Sequence, residues 1–218
     1  MNNIKLVVFD VDGVLTNVKS SWEFLHEYFD VADKAKEYYK KFEKGEIDYM
    51  EWMRLDTSLW IDKNNGKLKI EELVKILSKI PVRDEIKDVS ICLHKNKKTI
   101  ALLSGGIDIL VNRIADIIGA EIWMANELEF NKFGYLVPGG LPMVGTNKEK
   151  ALMRILQYLN VEPQETMYVG DSKWDYNAMI KVGYPVLFGN DESLLNISKY
   201  KISNLNQICD IIKKIEGK

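Results

Sequence analysis

The chain has 218 residues, 46% hydrophobic and 28% charged, a composition that suits one larger globular domain or a core domain carrying a smaller insertion. Its 30 Lys plus Arg stand against 32 Asp plus Glu, so the concentrated positive footprint that nucleic-acid binding needs is absent. No apolar run approaches the ~20 residues of a membrane span, and the opening residues run straight into a strand instead of a signal peptide. A cytoplasmic protein is expected, with Cys92 and Cys209 as reduced core thiols and with His26 and His94 too isolated for a zinc site.

In chain order, residues 5–9 read as the first of four short apolar strands. They lead directly into Asp10-Val11-Asp12-Gly13, two like charges at the end of a buried strand. Such a pair needs either a polar turn or a cation and a chemical task to hold it there. The segment that follows reads as helix, with starts near Ser21, Asp48 and Lys69 and breaks at Gly45 and Asn64-Asn65-Gly66. Ten of the 22 aromatic residues fall between Trp22 and Trp60, enough to bury a core of its own. Residues 17–80 are therefore expected as an inserted helical cap, with residues 1–16 and 81–218 forming the main domain.

Further strands are expected at residues 99–103, 166–169 and 185–188, and helices at 108–118, 146–159, 176–182 and 204–215. Gly119 suits the end of the first of these helices. Thr146-Asn147-Lys148-Glu149 suits a capping box at the start of the second. Asn131-Lys132-Phe133-Gly134 suits a hairpin turn between residues 127–130 and 135–137. Alternating strands and helices predict a Rossmann-like, doubly wound parallel α/β sheet.

In such a sheet, ligands sit beyond the carboxyl ends of the strands. Those ends deliver Asp10 and Asp12, then Ser104-Gly105-Gly106, then Gly170, Asp171 and Asp175, with Lys148 in the first turn of the helix before the third strand. Clustered hard oxygens suit Mg²⁺, Ser-Gly-Gly at a strand-to-helix junction offers amide donors to a phosphate, and Lys148 adds a compact positive charge. These are the parts of phosphoryl transfer, which depends on positioning and charge neutralisation. The Gly140–Lys148 stretch is no P-loop, because Thr-Asn separates its second glycine from the lysine.

Four segments resemble the motifs of the haloacid dehalogenase superfamily, on its phosphoserine-phosphatase-like branch: Phe9-Asp10-Val11-Asp12-Gly13-Val14-Leu15-Thr16, Leu103-Ser104-Gly105-Gly106, Lys148, and Gly170-Asp171-Ser172-Lys173-Trp174-Asp175. The resemblance implies a helical cap inserted after the first strand and an Mg²⁺-dependent phosphomonoester hydrolase acting on a small phosphorylated metabolite. It implies Asp10 as the nucleophile that becomes an aspartyl phosphate, and Asp12 as acid and then base. Ser104, the Gly105 amide and Lys148 would hold the phosphoryl oxygens. Asp10, the Asp12 carbonyl and Asp171 would hold the metal, with Asp175 steadying its waters or Lys148. The ionised Asp10 would be favoured by Mg²⁺ and Lys148, and the protonated Asp12 by its neighbouring carboxylate.

Two positions depart from that branch. Lys19 stands near the place of a cap glutamate that binds the substrate ammonium, and Trp174 replaces an asparagine in the last motif. Lys19 and Trp22 lie nearest the first turn in sequence, and Arg54 falls roughly where a substrate-carboxylate arginine would stand. Together they predict a substrate with a carboxylate or other oxygen-rich end and no ammonium near Lys19. The alternatives are phosphoserine phosphatase proper, a phosphotransferase or mutase on the same scaffold, and a non-catalytic binding protein. Oligomeric state is left open.

Overall fold

Four consecutive apolar residues, Leu6–Phe9, form β1, and all four are buried, as a strand covered on both faces requires. The computed structural model describes residues 3–217 and sets β1 inside a six-stranded parallel sheet. The other strands are β2 (Thr99–Ile107), β3 (Ile122–Asn126), β4 (Thr166–Gly170), β5 (Tyr184–Phe188) and β6 (Tyr200–Ile202), in the order β3-β2-β1-β4-β5-β6. This doubly wound order reverses between β1 and β4, so the crevice for a ligand lies where the turns after those two strands meet. The helices are α1 (Ser21–Tyr28), α2 (Ala32–Glu43), α3 (Tyr49–Lys63), α4 (Ile70–Leu77), α5 (Ile86–Lys95), α6 (Asp108–Ile118), α7 (Lys148–Leu159), α8 (Tyr176–Met179), α9 (Glu192–Leu195) and α10 (Gln207–Glu216).

Strand side chains alternate between two apolar layers. Val7, Phe9, Ile100, Leu102 and Val169 pack with α5, α6 and α10, whereas Leu6, Val8, Ala101, Leu103 and Tyr168 pack with α7, α8 and α9. The predicted strands correspond to β1, β2, β4 and β5. The edge strands β3 and β6 are additions: β3 has a short apolar run, Ile122–Ala125, whose first three residues are only half-buried, and β6 is three residues long with Lys201 exposed at its centre. β2 also runs further than expected. Ser104, Gly105 and Gly106 lie within it, where its register against β3 shifts between Leu103 and Ile107, and the α6 N-terminus begins only at Asp108.

Helix α6 matches its predicted span and stops at Gly119, whose φ of 70° is the left-handed conformation of a helix end. Helix α7 starts at Lys148, not Thr146. The Asn147 side chain accepts from the Lys150 amide at 3.2 Å and takes the place of the expected Thr146–Glu149 box. The predicted 176–182 helix closes after Met179, and the last helix begins at Gln207. The hairpin forms at its expected turn: the Asn131 amide donates to the Tyr135 carbonyl at 2.9 Å, and Phe130 pairs with Leu136.

The chain leaves the sheet at Thr16 and returns at Val82, and these two residues pair in an isolated antiparallel bridge. Helices α1–α4 lie between them, with Ser20 and Asp48 capping α1 and α3. Their core is not independent. Leu25, Phe29, Trp60, Leu73 and Leu77 belong to the same apolar cluster as one face of the sheet. Only Tyr39, Phe42, Tyr49 and Trp52 build a separate aromatic group, with the Phe42 and Trp52 rings stacked at 4.7 Å.

The cysteines correct the reduced-thiol expectation. Cys92 of α5 and Cys209 of α10 form a disulfide, because the two helices lie side by side under the same sheet face. Periodicity places each cysteine on the inner face of its own helix but says nothing of which helix lies opposite.

Candidate active site

The turn after β1 is closed by its own backbone: the Leu15 and Thr16 amides donate to the Val11 carbonyl at 2.9 and 3.1 Å, and the Gly13 amide donates to the Val18 carbonyl at 2.7 Å. Gly13 has φ +78°, and a Cβ there would stand 2.0 Å from Asp171 Oδ2. Glycine thus permits both the backbone conformation and the close approach of the turn after β4. Arg83 clamps the outer side, donating to the Val14 and Gly13 carbonyls at 2.8 and 3.0 Å.

Inside the crevice, Lys148 Nζ bridges Asp10 Oδ2 at 2.6 Å and Asp175 Oδ1 at 2.7 Å, and all three residues are buried. Asp175 is saturated: Tyr168 donates to Oδ1 at 2.8 Å, and the Asp171 and Ser172 amides donate to Oδ2 at 3.0 and 3.2 Å. Burial pushes the Asp10 carboxyl well up, against the pull of Lys148. Burial, with the charge of Asp175 added, lifts Asp171 to about 7. Lys148 itself stays firmly protonated between its two carboxylates.

The crowding calls for more positive charge than one lysine provides. Asp10, Asp171 and Asp175 each place a carboxylate oxygen within 4.8 Å of the others. The donors are all oxygens, so the set fits a hard divalent cation. With Asp175 consumed by four hydrogen bonds, Asp10 and Asp171 are the carboxylates left to reach it.

Asp12 points elsewhere. Its Oδ2 accepts from the Ser21 amide at 2.8 Å and the Ser21 hydroxyl at 2.7 Å, while its buried Oδ1 has no partner. Burial raises its pKa, and the bonds from Ser21 oppose that. The direction is the expected one for an acid, but the cause differs: desolvation dominates, and the carboxylate that adds to it is Glu23 rather than Asp10.

Ser104 is buried in β2, with its hydroxyl accepting from the Gly106 amide at 3.0 Å. Nothing lies within 4 Å of a Cβ built at Gly105, so its backbone faces open space. The Gly105 carbonyl is held from both sides, by Asn126 Nδ2 at 2.8 Å and Trp22 Nε1 at 3.1 Å. Asp10, Asp12, Ser104, Gly105, Lys148 and Asp171 share the wall of one cavity of ≈ 680 Å³, which extends under α1–α3 and also takes in Lys19, Trp22 and Trp174. Arg54 is not among its lining residues. It forks onto Glu51 of its own helix with two contacts of 2.7 Å, half-exposed on the outer face.

A family model described as haloacid dehalogenase-like hydrolase matches residues 4–183. The chain belongs to the haloacid dehalogenase-like hydrolases. Among its relatives, the phosphoserine phosphatase of Methanocaldococcus jannaschii is 27% identical over 186 residues, covering 84% of this chain and 85% of that one. The Saccharomyces cerevisiae phosphoserine phosphatase is 27% identical across 95% of this chain but only 66% of its own length. A solved phospho-aspartyl intermediate analogue of phosphoserine phosphatase superposes with a TM-score of 0.78 at 25% identity, covering 97% of this chain and all of the other.

In this hydrolase three site residues have no signal in the motifs. Ser21, expected only as a helix start, fixes Asp12 and also accepts from the Ile107 amide at 3.1 Å, tying the turn to β2. Buried Asn126 ends the edge strand β3. It donates to Gly105 and to Tyr49 of α3, and accepts from the Val144 and Gly145 amides at 3.2 and 3.0 Å. Asp56, at helical spacing from Trp52 and Trp60 on the inner face of α3, is a buried carboxylate in the cavity wall. The sign available in the sequence is its place four residues from both Trp52 and Trp60, on the helix face that carries those rings.

Proposed function

We propose that this chain is an Mg²⁺-dependent phosphomonoester hydrolase that works through an aspartyl phosphate on Asp10. The observation that carries the reading is the division of labour between the two aspartates of one turn. Asp10 is gripped by Lys148 inside the acidic cluster, while Asp12 is anchored by Ser21 with one oxygen left unpartnered.

Asp10 attacks the phosphorus, and Asp12 gives its proton to the departing alkoxide and later takes one from the hydrolytic water. Burial supplies the raised pKa that this acid needs. Ser104, the Gly105 amide and Lys148 hold the phosphoryl oxygens. Mg²⁺, held by Asp10, the Asp12 carbonyl and Asp171, would neutralise the charge on those oxygens. Asp175 fixes Lys148 and the Asp171 backbone in place. Residues 17–80 act as the cap, excluding water from the crevice and presenting the groups that read the leaving alcohol. Phosphoserine, on which the relatives act by name, is the first ester to test.

Asp10→Asn should abolish Mg²⁺-dependent phosphate release from a generic aryl phosphate while leaving the circular-dichroism melt in place. Residual turnover above about a tenth of wild type would overturn the nucleophile assignment, since losing covalent catalysis costs several kcal/mol. Release of free phosphate, rather than its appearance on an added sugar, separates hydrolysis from transfer. No helix among the described residues is long and apolar enough to cross a membrane. A cytoplasmic location is kept as part of this proposal. Alkylation of freshly lysed cells tests it, because a disulfide such as Cys92–Cys209 is rare in that compartment.

A further inference from the structure

The part of the cavity remote from Asp10 is built from three facing helix surfaces. Trp22 and His26 come from α1, the small residues Ala32 and Ala35 with Tyr39 from α2, and Trp52 and Asp56 from α3. Ala32 and Ala35 leave room, so the aromatic side chains of Trp22, Tyr39 and Trp52 and the Asp56 carboxyl line much of the space.

The charge state of this wall follows from one hydrogen bond. Trp60 Nε1, which can only donate, lies 3.0 Å from His26 Nδ1, so that nitrogen carries a lone pair. The remaining imidazole proton is then on Nε2, which faces Asp56 Oδ2 at 3.3 Å. His26 thus meets Asp56 as a hydrogen-bond donor through Nε2. Asp56 is 2% exposed, and its Oδ1 has no hydrogen-bond partner. Burial holds its pKa up, with the hydrogen bond and the electrostatic pull of His26, and the Trp52 indole N–H, acting the other way. A buried carboxyl group with an unsatisfied oxygen is costly unless a ligand completes it. Two lysines stand at the exposed edge of the cavity: Lys19, which acts on Asp171 at the phosphoryl end, and Lys36, next to Ala35 on α2. No arginine is among the lining residues, since Arg54 is spent on Glu51.

Resting on the phosphatase reading above, we infer that the cap cavity selects phosphate esters of amino alcohols: Asp56 and the rings of Trp22, Tyr39 and Trp52 receive an ammonium or trimethylammonium end that carries no carboxylate. Aromatic faces attract such cations, and desolvation strengthens the contact. Asp56 then pairs with a positive charge in the water-poor space. This reverses the acidic leaving group expected from Lys19 and Arg54, because the arginine on which that expectation leaned points out of the site.

The test compares phosphocholine and phosphoethanolamine with phosphoserine and with the neutral isostere of phosphocholine in which carbon replaces nitrogen. In the wild-type enzyme with Mg²⁺, kcat/KM for phosphocholine should exceed that for its neutral isostere by about tenfold or more, the scale of a desolvated cation–π contact. Phosphoserine should fall below phosphoethanolamine. In Asp56→Asn the ratio of cationic to neutral ester should drop toward one. A second arm needs neither turnover nor a variant: choline should change the tryptophan fluorescence of the wild-type protein saturably, whereas its uncharged carbon isostere should not. Hydrolysis of a generic aryl phosphate without any preference for the cationic ester would overturn this inference and leave the phosphatase reading standing. Saturable choline binding with no hydrolysis of any ester would overturn the phosphatase reading and leave the cation site standing. Absence of choline binding, or phosphoserine as the best ester, overturns the inference outright.

Discussion

Ser21→Ala isolates the hydroxyl that sets Asp12. In the structure this hydroxyl donates to Asp12 Oδ2 at 2.7 Å, while the Ser21 amide, which alanine keeps, donates to the same oxygen at 2.8 Å. One of two bonds is therefore lost. A hydrogen bond to a charged group contributes ~1.5–3 kcal/mol, so a loss of about 2 kcal/mol, roughly thirtyfold in rate, is expected where Asp12 must be correctly aimed. The bonds from Ser21 hold the Asp12 pKa down against burial. Removing one lets burial prevail, the pKa rises, and the alkaline limb of kcat/KM should move to higher pH. The Ile107 amide also loses its acceptor, which costs ~1–3 kcal/mol of stability for a buried donor. The assay is kcat/KM against pH for an alkyl phosphate, whose leaving oxygen needs a proton, and for an aryl phosphate, whose phenolate leaves without one. A large loss on the alkyl ester with a small loss on the aryl ester supports the reasoning. Equal losses with an unmoved limb would refute it and reduce Ser21 to a structural residue.

Gly13→Ala should fold with difficulty or lose its divalent-cation requirement curve altogether, because the new Cβ would stand 2.0 Å from Asp171 Oδ2 at φ +78°; titration calorimetry with Mg²⁺ on the folded fraction reads this. The Mg²⁺ affinity of the wild-type protein should strengthen as pH rises through about 7, the value to which burial and Asp175 lift Asp171 in the absence of a cation. Below that pH a proton competes for the same oxygens, and an affinity flat between pH 6 and 8 would contradict it. Reducing the Cys92–Cys209 bond opens a link between residues 117 apart in sequence, so in the chain-entropy account the melting midpoint should fall by an amount equivalent to ~4–5 kcal/mol; an unchanged melt after verified reduction would show that the bond adds nothing to stability.

The readable parts of this fold were those that a single segment decides for itself. Residues 6–9 are apolar without interruption because β1 is covered on both faces, and the two aspartates stand out because they follow at once in a single turn. Gly119 marks the end of α6 through its own left-handed backbone. Lys148 could be assigned to the rim because the helix that carries it precedes a recognisable strand. The parts that escaped depend on partners distant in sequence. Ser21 earns its role from Asp12 and Ile107, Asn126 from Gly105, Tyr49 and the 144–145 amides, and Cys92 from Cys209. Arg54 is a related case: its distance from Gly45 fixes only its place along the chain, while the rotation of α3 sends it to Glu51 and turns Asp56 inward. Edge strands β3 and β6 escaped for different reasons: the apolar run of β3 is short and only half-buried over its first three residues, whereas exposed Lys201 interrupts the three residues of β6.

The shared apolar cluster under α1, α4 and the far half of α3 has a mechanical consequence. Leu25, Trp60, Leu73 and Leu77 cannot part from the sheet without exposing the core of the whole domain, so the base of the inserted segment is welded in place. Helix α2 and the near half of α3 are fastened differently. Their rings pack on one another, and their polar ties to the body include the Tyr49–Asn126 hydrogen bond, the Thr57–Gly139 hydrogen bond and the loose Lys173–Glu43 ion pair at 4.0 Å. The inserted segment is thus fastened in two ways, its base through the core of the sheet and its aromatic end through a few polar contacts, so a graft replacing the segment would keep the core intact only if it stopped short of Leu25, Trp60, Leu73 and Leu77.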